Sequence, residues 1–269
     1  MRVFISVDME GITGVSCWDD VDHNKPSFNR FREIMTAEVN AAIEGAYNGG
    51  AAYVLINDSH GGMRNILLEK LDKRAELISG YPKQLGMMAG VDRDIDRAMF
   101  IGYHAMAGTA HAVLDHTWSG SQVYSLQANG RTIGETGLNA AIAGHYGVPV
   151  VLVTGDQAVA SEAKALLGDR LNTVEVKESL SRTAVKSLPV EQVMGQIKEA
   201  ASQAVNGPIP KALVFAPPVT ITIQFVTSVQ AEGASALPGA NRVDGRTVEW
   251  TGEDIIEAYS AMLAMLALA

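Results

Sequence analysis

Pro149-Val150-Val151-Leu152-Val153-Thr154 is the stretch that decides the fold class. Its four central residues are all apolar, and three of them are β-branched. A strand with one wet face alternates apolar and polar side chains. A strand that is apolar throughout is buried on both faces, as in a parallel sheet covered by helices. Outward from it, short apolar runs alternate with helical patterns. Strands are expected at Arg2–Val7, Ala52–Asn57, Ala98–Gly102, Ser121–Gln127, Thr173–Lys177, Ala212–Phe215, Val219–Thr227 and Arg246–Trp250. Helices are expected at Arg30–Asn48, Arg64–Leu71, Gly137–His145, Ala158–Leu167, Ser179–Ser187, Val190–Ala204 and Glu253–Leu268, the last capped by Thr251. This alternation predicts an α/β fold, a mainly parallel mixed sheet flanked by helices. The pair Asn129-Gly130 between apolar runs predicts a hairpin, hence an antiparallel element. The whole chain reads as one catalytic unit, with a smaller C-terminal α/β lobe from about residue 190 to 269.

Composition narrows the function. The chain has 269 residues, with 30 Asp and Glu against 21 Lys and Arg, a net charge of −9. Such a surface repels phosphate backbones and anionic membranes, so neither nucleic acid nor membrane is an expected partner. The one cysteine, Cys17, excludes an intrachain disulfide and a Cys-rich zinc site, and fits a reducing cytoplasmic setting. The start of the chain runs within seven residues into Asp8 and Glu10, too short and too acidic for a signal peptide. No Gly-x-Gly-x-x-Gly, Walker phosphate loop or Gly-x-Ser-x-Gly elbow is present, which disfavours nucleotide cofactors and a serine nucleophile.

Three expected strands end in metal-capable side chains. Val3-Phe4-Ile5-Ser6-Val7 leads into Asp8-Met9-Glu10-Gly11, and residues two apart in an extended segment face the same way. Tyr53–Asn57 leads into Asp58-Ser59-His60, and Met99–Tyr103 leads into His104. In open α/β sheets ligands bind outside the carboxyl ends of strands, so these ends point to one site. Glu135 sits in apolar, glycine-rich surroundings and is open to two readings, an ion pair with Arg131 or a metal ligand. Two divalent ions and a bridging hydroxide would neutralise Asp8, Glu10 and Glu135, with His60 and His104 as neutral ligands. Mixed imidazole and carboxylate ligands suit zinc, with Mn, Co or Fe also served. His116, in a loop beyond His104, is a candidate acid, base or oxyanion donor, with His111 as its competitor. Trp18 and Trp118 read as packing residues and Cys17 as a small buried one.

Ser6-Val7-Asp8-Met9-Glu10-Gly11-Ile12, Asn57-Asp58-Ser59-His60, Gly102-Tyr103-His104, His116-Thr117 and Gly134-Glu135 followed by Gly137-Leu138-Asn139 occur in that order. The pattern resembles the D-aminopeptidase family of dipeptide-transport operons, DppA-like zinc metallopeptidases, and the similarity runs over nearly the whole chain. The resemblance implies two zinc ions per subunit on Asp8, Glu10, His60, His104 and Glu135, with His116 as the catalytic side chain. It further implies a small peptide substrate with an N-terminal D-residue and a homo-oligomer, expected to be a decameric ring. Another binuclear-metal amidohydrolase or phosphodiesterase, or a non-catalytic peptide- or metal-binding protein, is the alternative. Asp115, directly before His116, is expected to tune that histidine's pKa or orientation.

Overall fold

The computed structural model describes residues 1–269. The elements in chain order are β1 (Arg2–Val7), α1 (Trp18–Val21), α2 (Ser27–Asn48), β2 (Tyr53–Asp58), β3 (Glu76–Ile78), β4 (Arg97–Ile101), β5 (Val123–Ala128), β6 (Arg131–Thr132) and α3 (Glu135–His145). They continue with β7 (Val150–Asp156), α4 (Gln157–Leu167), β8 (Asn172–Ser181), β9 (Ala184–Ser187), α5 (Val190–Asn206), β10 (Val219–Phe225), α6 (Ser228–Ala234), β11 (Asn241–Arg242), β12 (Thr247–Gly252) and α7 (Ile255–Leu268). The first sheet has the order β3-β2-β1-β4-β7-β8-β9 and is parallel except for the β8–β9 pair. The second is antiparallel, in the order β11-β12-β10-β5-β6.

β7 carries the apolar run and is buried at every position, as its composition requires. β1 shows how the first sheet serves two cores. Val3, Ile5 and Val7 pack with apolar residues of α2 and α5, whereas Phe4 faces the core shared with α3, β5, β10 and α7. Because successive side chains alternate, Ser6 and Asp8 follow Phe4 onto the side where α3 and the second sheet lie. The Asn129-Gly130 hairpin joins β5 to β6, both turn residues having the positive φ that such a turn needs (47° and 77°). The second sheet is therefore built from residues 123–132 as well as from residues beyond 218, while α5 packs on α2.

Several expected elements differ. The Arg64–Leu71 helix is a single 3-10 turn at Leu68–Lys70, because the Asp58 carboxylate captures the backbone N–H groups of Asn65 and Ile66 at 2.5 and 2.7 Å. The Ser179–Ser187 helix is the β8–β9 hairpin. Here the Ser179 N–H donates to Gln157 and its hydroxyl to Asp156, which holds the chain extended alongside β7. Ala212–Phe215 is irregular and lies with its Leu213 backbone against Gly144. The cap of α7 is Asp254, not Thr251, because its carboxylate receives the N–H groups of Ile256 and Glu257. Thr227 ends the β10 region by capping α6.

The carboxyl ends of β1, β4 and β7 are stitched together backbone to backbone. Asp8 N–H donates to Ile101 O and Gly11 N–H to Gly102 O, both at 2.8 Å, and Tyr103 N–H donates to Thr154 O at 3.0 Å. Gly11 has no room for a side chain: a Cβ there would collide with the Tyr103 and Gly102 carbonyls. Gly11→Ala should therefore destabilise the fold by about 2 kcal/mol or more. Thermal unfolding should show a drop of about 5 °C, and an unchanged melting temperature would contradict the close approach.

Candidate active site

The six side chains singled out in the sequence come together at this stitched edge. Asp8 and Glu10 leave the end of β1, His60 follows β2, His104 follows β4, and Glu135 opens α3. The strand stops at Val7, so Glu10 reaches the site through a turn rather than by continued extension. His116 arrives on the loop between β4 and β5, its ring stacked on His104 at 4.1 Å. Asp8, Glu10, His104, His116 and Glu135 are all buried. His111, the competitor, is exposed and turned toward the Leu180 carbonyl. Arg131 is exposed, so the ion-pair reading of Glu135 does not hold; its carboxylate meets His104 at 3.3 Å and accepts the Trp118 N–H at 2.8 Å.

Each imidazole has one nitrogen against a backbone carbonyl, and a carbonyl can only accept, so that nitrogen carries the proton. His60 Nε2 donates to Val21 O at 3.0 Å, His104 Nδ1 to Ala105 O at 3.0 Å and His116 Nδ1 to Leu114 O at 2.8 Å. The opposite nitrogens then aim lone pairs at the carboxylates. His60 Nδ1 lies 3.1 Å from Glu10 and 3.3 Å from Asp8 Oδ1. His104 Nε2 lies 3.5 Å from Asp8 Oδ2. Asp8 Oδ2 and His104 Nε2 are buried and have no hydrogen-bond partner. Acceptors facing acceptors in a buried pocket call for cations. Carbonyl-fixed imidazoles with carboxylates are also the usual ligand arrangement around a transition metal. The donor set therefore fits divalent ions. Ligand atoms of Asp8, Glu10 and His104 lie within 4.8 Å of one another, and so do those of His104, His116 and Glu135.

The protein's own charges point the same way. Burial, with the Glu10 charge behind it, pushes Asp8 up to about 7. Burial also presses upward on Glu10 and Glu135, but His60 outweighs it at Glu10 and His104 at Glu135, holding both low. Burial disfavours a charged imidazole at His60 and His104, yet Glu10 and Glu135 overcome it and raise both well above the usual value. His116 alone is pushed down, by burial and by His104, so its ring stays neutral.

A supporting shell fixes the loops. Lys177 is fully buried and donates to the Glu10, Ile12 and Val15 carbonyls at 2.6, 2.7 and 2.8 Å, pinning the segment that carries Glu10. Glu38 holds Thr13 N–H at 2.8 Å. Asp156 accepts Val113 N–H at 2.9 Å, anchoring the His116 loop. Asp115 does not act on His116 as expected. Its carboxylate pairs with Arg182 at 2.7 Å and accepts Gly108 N–H at 2.7 Å, while the Leu114 carbonyl orients the histidine. Trp18 packs as expected but at the site rather than in the core: it is partly exposed and makes a T-shaped contact with His116 at 5.3 Å. Cys17 is partly exposed. A cavity of about 330 Å³ opens onto the cluster, walled also by Met63, Tyr81, Met87 and Trp118. Sequence reading missed Lys177, Glu38 and the aromatic wall, since nothing in their spacing marks them.

Fold and site together define an α/β protein with a buried carboxylate and imidazole centre at the strand ends, of the metal-binding kind. The chain belongs to the D-aminopeptidase family, whose model matches residues 1–264. It is 40% identical to the D-aminopeptidase of Bacillus subtilis (strain 168), over 100% of this chain and 98% of that protein. Among solved structures it matches one described as the Zn-dependent D-aminopeptidase DppA from Bacillus subtilis, a self-compartmentalizing protease. That match has a TM-score of 0.96 and 40% identity, covering 100% of this chain and 97% of the other.

Glu38 offers a test of the supporting shell. Burial raises its pKa to about 7, above the unfolded value of about 4.3. The folded state thus binds the extra proton between those values, and the contribution of Glu38 to stability is lost as pH rises through that window. Glu38→Gln keeps the acceptor without the charge. Its stability relative to the parent protein should rise by about 2 kcal/mol between pH 5 and pH 8. A pH-independent difference in denaturant midpoints would contradict the raised pKa.

Proposed function

We propose that this chain is a zinc-dependent aminopeptidase that releases N-terminal D-residues from short peptides of the D-Ala type. The observation that carries the reading is the pair of buried, partnerless acceptors Asp8 Oδ2 and His104 Nε2 within a carboxylate and imidazole cluster. The family membership and the Zn-dependent relative support it. Asp8 presents Oδ1 to His60 and Oδ2 to His104. Asp8, Glu10, His60, His104 and Glu135 would together hold the two zinc ions, and ligand atoms of Asp8, Glu10 and His104 already lie within 4.8 Å of one another. Bound zinc supplies Lewis acidity for the scissile carbonyl and lowers the pKa of water.

The remaining chemistry falls to the chain. His116 keeps Nε2 unprotonated because Nδ1–H is committed to Leu114 O and burial holds the ring neutral. Nε2 accepts a proton from the attacking water and returns it to the leaving amine, the two roles of one general base and acid. Trp18 in T-shaped contact with the ring and His104 stacked on its face hold it in place. Met63, Met87 and Trp118 offer an apolar wall to the side chain of the N-terminal residue. The chain acts as one catalytic unit, is assigned to the cytoplasm, and assembles as a homo-oligomer, a decameric ring. No helix is long and apolar enough to cross a membrane.

The zinc-loaded protein should cleave D-Ala-D-Ala and leave L-Ala-L-Ala and N-acetyl-D-Ala-D-Ala intact. Equal turnover of the L-peptide or of the blocked peptide would overturn the reading. His116→Ala should lower kcat about 10²- to 10⁴-fold while zinc content, measured by plasma emission, stays the same. Full activity in that variant would remove His116 from the mechanism.

A further inference from the structure

A second cavity, of about 280 Å³, shares the walls His116 and Gly120 with the main one. The main cavity is lined by carboxylates, imidazoles and apolar groups, with no Lys or Arg. The second has one cation, Arg182, set among Val123, Tyr124 and Val226. Arg182 sits in the turn of the β8–β9 hairpin. Its Nε donates to Asp115 Oδ1 at 2.7 Å and its Nη2 to the Asp115 carbonyl at 2.9 Å. Nη1 has no partner in the protein, and half of the side chain is exposed. The other Asp115 oxygen is occupied by Gly108 N–H, so Asp115 is spent on fixing this one guanidinium and its own loop. Trp18 links the two groups, 5.5 Å from the guanidinium carbon and 5.3 Å from the His116 ring. Arg182 therefore lies within two or three residues' reach of His116, at about 3.5 Å per extended residue.

We propose that Arg182 binds the C-terminal carboxylate of a short peptide and that the second cavity receives the leaving residues. This rests on the aminopeptidase reading, in which the N-terminal residue occupies the cavity beside the metal ligands. With His116 in the shared wall, the portion beyond the scissile bond enters the second cavity. A di- or tripeptide ends there in a carboxylate, and a planar guanidinium already oriented by Asp115 matches it at little ordering cost. The arrangement selects against long chains, because a longer peptide carries a neutral amide where the carboxylate would meet Arg182. The site thus measures substrate length as well as binding its end.

The test compares D-Ala-D-Ala with its C-terminal amide. The zinc-loaded parent protein should favour the free acid about 10- to 100-fold in kcat/KM, the range of one charge-assisted hydrogen-bonding contact. Arg182→Gln should erase most of that preference, chiefly through KM for the acid, and Arg182→Lys should restore part of it. A parent protein that cleaves acid and amide equally well would overturn the proposal without any variant. So would an Arg182→Gln enzyme that loses both substrates in the same proportion, the result expected if Arg182 only props the His116 loop. A parent protein inert toward both dipeptides fails at the aminopeptidase reading itself, a distinct result that removes this subsite with it.

Discussion

Acceptor facing acceptor in a buried pocket is the constraint on which the rest of this molecule depends. Three carboxylates and two imidazole lone pairs converge from four separate segments, and the protein provides no cationic side chain to divide them. Left to itself, the cluster recruits protons, as the raised His60, His104 and Asp8 show. Divalent ions answer the same demand without spending the neutral imidazoles. His60 and His104 are preset for that outcome, since a backbone carbonyl fixes the proton of each on the nitrogen away from the acids.

Holding such a cluster requires a rigid frame, and the parallel sheet supplies it. Three adjacent strand ends exchange backbone hydrogen bonds at the site, with Gly11 admitting the contact. Behind them, Lys177 gathers three carbonyls of the segment that carries Glu10. A buried lysine is a costly device, reflected in a pKa pushed down to about 7 by burial. Its three N–H donors are matched one for one by the carbonyls of Glu10, Ile12 and Val15. The same economy of purpose marks Asp156, which caps α4, holds Ser179 and anchors the His116 loop with one carboxylate.

Much of this was legible in the chain itself. The apolar run of β7 announced a doubly covered sheet, and Asp8, Glu10, His60 and His104 could be placed at strand ends by the same argument. Glu135 stood out because so little charge surrounds it. The failures have physical causes. Helical patterns at Arg64–Leu71 and Ser179–Ser187 lost to tertiary hydrogen bonds from Asp58, Asp156 and Gln157, which no local period records. Asp115 looked like the partner of its neighbour His116, yet its partner is Arg182, 67 residues away in the chain. Trp18, Lys177 and Arg182 acquire their roles only when distant loops meet, so their residue types alone gave no sign.

Anomalous diffraction at the zinc edge from crystals of the zinc-loaded protein tests the central claim most directly. The account predicts two peaks per chain within the cluster of Asp8, Glu10, His60, His104 and Glu135. A single peak, or zinc bound away from Asp8, would contradict it.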